Sequence, residues 1–160
     1  MPSSSKPRHK RRIKTTGNRS LRTLPWQTHA VFRPLEAILD ELETHGTLTV
    51  VAKGTQAGMP VFQPTGDNEW YAAAPALRGL IEMFELHEGR TGKALPLEPL
   101  RLLAKKMEVD MPIFSDDTKA IRACMPALVA ELHTFPKDYA KELVQVTQTA
   151  VEFERLEVTA

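Results

Sequence analysis

The chain has 160 residues, 21 Lys+Arg against 20 Asp+Glu, and a hydrophobic share of 42%, which suits one domain with a tail. A single cysteine, Cys124, excludes an internal disulfide, and no run approaches the ~20 apolar residues that span a bilayer. The stretch after the basic start is too polar for a secretory signal, so the expected location is cytoplasmic, in a reducing compartment and away from the membrane.

The net charge of +1 averages two unlike pieces. Residues 1–24 carry Lys6, Arg8, Lys10, Arg11, Arg12, Lys14, Arg19 and Arg22, and no acid precedes Glu36. Beyond residue 24, 13 cations face 20 carboxylates, a net of −7. The first piece has too few apolar residues to offset its ordering entropy, so it reads as a disordered basic arm. Residues 25–160 read as one acidic folded body.

LPWQTHAVF, residues 24–32, is the transition, with Trp26 and Phe32 tying the chain to the body. Helical spacing of Leu35, Ile38, Leu39 and Leu42 predicts a first helix over 34–46, opened by Pro34 and stopped by Gly46. Residues 47–63 hold two β-branched runs around turn residues and read as a hairpin, with Pro60 shortening its second strand or placing it on an edge. Asp67 or Asn68 caps the next expected helix, whose apolar face is Trp70, Leu77, Leu80, Ile81 and Phe84, with Gly89 or Gly92 at its end. Pro75 either kinks that helix or begins its regular part. A short helix over 96–107 buries Leu100, Leu103 and Met107. Ser115 is the expected cap of a fourth helix carrying Ile121, Cys124, Met125, Leu128 and Leu132 inward, with Pro126 bending it. A last helix starts near Pro136, and Tyr139, Leu143, Val146, Ala150 and Phe153 follow a heptad-like 4, 3, 4, 3 spacing too short to define a coiled coil. The fold class is mainly α: about five helices, one small β-hairpin and the arm.

No convergent catalytic set is visible, and neither an enzyme nor a cofactor is expected. His9, His29, His45, His87 and His133 lack zinc spacing, and one cysteine builds no thiolate site, so no metal is expected. FELHEGR, residues 84–90, is the most site-like piece: His87 borders an apolar face with Glu82, Glu85 and Glu88 close in sequence. A general base competes there with a polar helix end, and the second histidine of a helical zinc site is missing. SDDTK, residues 115–119, suggests Mg²⁺ on its adjacent carboxylates, but first-turn acids are explained by the helix dipole. Cys124 lies on a core stripe and reads as a small hydrophobe. GTQAG, residues 54–58, lacks a following GK[ST] and is a turn, not a phosphate loop. Residues 96–133 space two helices too widely for a helix-turn-helix.

The KPRHKRR start together with NEWYAAAPALRGLIE and MEVDMPIFSDDTKAI resembles small uncharacterised proteins encoded in proteobacterial phages and prophages. That resemblance implies a cytoplasmic accessory or regulatory role and carries over no functional residue. The residues themselves point to sequence-independent contact of the arm with a DNA or RNA backbone, through the eight cations. The arm carries no aromatic residue for base stacking, and Trp26 is the nearest one. Alternatives are an arm that docks on an acidic protein, and an inhibitor or adaptor that works through the acidic helical surface.

Overall fold

A computed structural model describes residues 19–147 apart from 24, 65 and 67, together with the short strand at 155–156. The fold is mainly α, with the five helices and the hairpin that the apolar spacing implies. A 3₁₀ turn, Leu21–Thr23, leads into α1 (Pro25–His45). Strands β1 (Thr49–Val50), β2 (Pro60–Phe62) and β3 (Trp70–Ala72) precede α2 (Ala73–Thr91), α3 (Glu98–Glu108), α4 (Ser115–Leu132) and α5 (Lys137–Val146). Strand β4 (Arg155–Leu156) closes an antiparallel sheet of order β1-β2-β3-β4.

The main core gathers the stripes of α1, α2, α3 and α4. Ile38, Leu39, Leu100, Leu103, Ile121 and Leu128 are wholly buried. Phe84 stands at its centre, with ring centroids 6.1 Å from Phe32 and 6.4 Å from Phe135. A smaller cluster of Val51, Val61 and Ala72 packs within the sheet.

Several boundaries differ from the sequence expectation. The first helix begins at Pro25, and Pro34 lies inside it. The burial of Phe32, Leu35, Ile38 and Leu39 on one stripe outweighs the hydrogen bond that Pro34 cannot make. Residues 70–72, expected as the start of a helix, form β3, because Ala72 pairs with Val61 and Tyr71 with Phe62. The helix then starts at Ala73, so Pro75 falls in the first turn, where N–H groups have no intrahelical partner. Gly92, at φ 71°, ends that helix in the left-handed conformation and donates its N–H to the Glu88 carbonyl. Ser115 is the first residue of α4, not its cap. The cap is made by Asp117, whose carboxylate accepts the Phe114 N–H at 2.8 Å. α5 stops at Val146, which is exposed, while Ala150 and Phe153 of the heptad-like stripe lie outside the described residues.

The end of the arm also moves. Residues 19–23 belong to the body, not to a tail running to residue 24. Leu21 is 1% exposed and joins the main core. Its N–H donates to the Phe135 carbonyl at 2.9 Å, Lys137 N–H donates to the Arg19 carbonyl at 2.7 Å, and Ser20 bridges Pro136. One apolar side chain inserted beside α5 anchors a segment whose composition is otherwise polar.

Candidate functional site

His87 is 5% exposed, on the last turns of α2. Its partners are not the nearby Glu82, Glu85 or Glu88. Nε2 meets Glu131 Oε1 of α4 at 2.8 Å, and Nδ1 meets the Tyr139 hydroxyl of α5 at 2.7 Å. A ring that donates Nε2–H to the carboxylate can accept the tyrosine O–H on Nδ1, so both nitrogens have partners. Lys93 Nζ binds the other Glu131 oxygen at 2.5 Å. The Lys93 and His87 hydrogen bonds hold the Glu131 carboxyl below its ordinary range despite burial. Phe135 lies over the imidazole with ring centroids 4.3 Å apart.

A hydroxyl, an imidazole and a carboxylate in line resemble a nucleophile–base–orienter chain. Here the imidazole is buried, both nitrogens are occupied and an aromatic ring covers its face. The arrangement fastens the ends of α2 and α4 to α5. It also fixes Phe135, whose carbonyl holds Leu21, so the same polar cluster supports the root of the arm.

Part of the acidic surface is paired with cations of the body. Arg122 binds Asp40 and Glu43, Arg101 binds Glu85, Glu88 and Glu98, and Arg78 binds Glu108. Arg90 binds Glu142, and Lys106 binds Asp117. Hydrogen bonds from Arg122 and from Arg78 lower Glu43 and Glu108 respectively. Burial pushes Asp117 up, but the Lys106 and Phe114 hydrogen bonds and the Lys106 charge together take it below the usual range.

Of the eight arm cations, Lys6, Arg8, Lys10, Arg11, Arg12 and Lys14 lie outside the described residues. Arg19 and Arg22 are exposed on the corner between α4 and α5. Among the described residues, neither takes part in an ion pair. Lys137 and Lys141, which the sequence reading passed over, stand one helical turn apart on α5 beside this root. No charge pattern at residues 137–141 signals this, because the neighbourhood is created by Leu21 docking.

The remaining motifs are structural. Cys124 is buried, donates to the Ile121 carbonyl and has its thiol pushed up by burial. Asp116 and Asp117 diverge, the second serving as the α4 cap. Among the described residues no group of three or more His, Cys, Asp or Glu side chains is arranged to hold a metal, and no helix is long and apolar enough to cross a membrane. No protein-family model, curated protein or solved structure matches the chain.

Proposed function

We propose that this is a non-catalytic accessory protein that contacts a nucleic-acid backbone through the cations of residues 6–22. The observation that carries the reading is the contrast between two sets of arginines. Arg78, Arg90, Arg101 and Arg122 on the body are each matched to carboxylates. Arg19 and Arg22, at the anchored root, face solvent with no ion pair among the described residues. Cations without internal partners are free to exchange counterions for phosphates.

The test compares the full chain with a sixfold variant in which Lys6, Arg8, Lys10, Arg11, Arg12 and Lys14 become Gln. Binding of labelled DNA and RNA is followed by anisotropy at several salt concentrations. Log K against log salt should slope about −7 on duplex DNA if eight cations engage phosphates, and about −3.5 if four do. The variant should bind far more weakly and with a shallower slope. Equal affinity of the two proteins would remove the proposal.

A further inference from the structure

The root of the arm borders an apolar groove of about 280 Å³ between α1 and α5. Leu21, Ala30, Val31 and Val144 line it, with Lys137 and Lys141 along one side. It shares Ala30, Val31 and Val144 with a second apolar pocket of about 220 Å³ reaching toward Leu77 and Leu80. Together they are comparable to the smaller pockets that receive small organic groups. Resting on the reading above, we propose that Lys137 and Lys141 extend the phosphate-binding surface onto the body and that the groove beside them takes an unpaired base, making single-stranded nucleic acid the preferred ligand.

Charge and chemistry select that occupant. Lys137 and Lys141 are four residues apart, hence neighbours on one helix face, and the Lys137 N–H is bonded to the Arg19 carbonyl. The arm therefore enters the body next to two further cations. On α5 itself, Glu142 is held by Arg90, and Asp138, three residues before Lys141 and so its neighbour on the helix surface, is one carboxylate against two lysines. The groove wall offers Gln27 as its one uncharged polar side chain among the lining residues described, too little to read base edges in a duplex. A duplex keeps its base faces stacked inside and presents only edges, whereas a single strand can turn a base face toward an apolar surface.

The experiment uses the full chain with labelled dT20, rU20 and a 20-bp duplex. At equal salt, either single strand should bind at least tenfold more tightly than the duplex. The double variant Lys137→Gln, Lys141→Gln should reduce the single-strand salt slope by about 1.4. Ala30 is exposed, so Ala30→Gln should fold normally, and it should weaken single-strand binding about tenfold while leaving duplex binding within twofold. Thermal melting confirms the fold of each variant. Equal affinity for strand and duplex, or an unchanged slope and affinity in both variants, overturns the inference. If the sixfold arm variant loses binding while the Lys137/Lys141 and Ala30 variants do not, the extension onto α5 and the groove fails and the arm reading stands. If the arm variant binds like the parent, the nucleic-acid reading fails with it.

Discussion

Replacing His87 by Leu removes the shared partner of Glu131 and Tyr139, and its cost follows from what stays behind. Glu131 would keep a buried carboxylate with one oxygen on Lys93 and the other without its donor. Losing a hydrogen bond to a buried charged group costs about 1.5–3 kcal/mol. The upper end, about 3 kcal/mol, is expected, because the abandoned oxygen is buried; Lys93, 62% exposed, keeps the carboxylate neutralised from the solvent side and holds the cost there. Glu131→Leu leaves Nε2–H unsatisfied and should cost about 2 kcal/mol. The double variant removes both partners of the His87–Glu131 hydrogen bond and should lie within about 1 kcal/mol of the parent, since replacing both partners by apolar groups is often near neutral. Urea unfolding of the four proteins gives the coupling, expected at about 4 kcal/mol in favour of the pair. For a chain of this size the His87→Leu loss corresponds to roughly 6–12 °C in Tm. Single variants that cost under 1 kcal/mol, or additive costs, would refute the assignment of this cluster as the fastener of α2, α4 and α5.

Acid should act through the carboxylates whose folded values are depressed: Glu131, Asp117, Glu43 and Glu108. Their contribution is present above the unfolded carboxylate range, near pH 4, and disappears as pH falls through the lower folded values. Tm measured from pH 6 to 3 should therefore drop, less steeply in Glu131→Gln; a flat profile contradicts the pairing. At the root of the arm, Leu21→Ala should cost about 2–5 kcal/mol. The exposed neighbour Arg22→Ala should change stability by less than about 0.5 kcal/mol. Comparable urea midpoints for the two would show that Leu21 is not part of the core.

Most of the helices are legible because their buried faces are written locally. Leu100, Leu103 and Met107, or Ile121, Cys124, Leu128 and Leu132, recur at the helical period, and all are buried. Features decided by distant chain are not legible in this way. Trp70–Ala72 becomes a strand only because β2 lies beside it, and Pro34 is carried inside α1 only because the core covers the adjacent stripe. Leu21 reads as one apolar residue among polar ones until the α4–α5 corner is placed against it. His87 stands out in sequence, but Glu131 and Tyr139 are 44 and 52 residues away and no pattern links them.

A body of net charge −7 beyond residue 24 would seem an unsuitable companion for a polyanion. The ion pairs of the body are already inside that sum, so what they change is where the negative charge lies. Asp40, Glu43, Glu85, Glu98, Glu108 and Asp117 each face a cation at 2.9 Å or less. The one-to-one pairs Arg78–Glu108 and Lys106–Asp117 repel a phosphate only weakly, whereas Arg122 with two carboxylates and Arg101 with three leave those surfaces negative. Screening over about 8 Å at physiological salt reduces what remains of distant acids. The local field at the α4–α5 corner is then set by Arg19, Arg22, Lys137 and Lys141. The carboxylates there are Glu142, already held by Arg90, and Asp138. Docking Leu21 thus does two things at once: it completes the core and brings the root cations to a surface that already carries charge of the same sign. Like charges gathered with no ion pair among the described residues raise the energy of the free protein, and binding an anion relieves that repulsion.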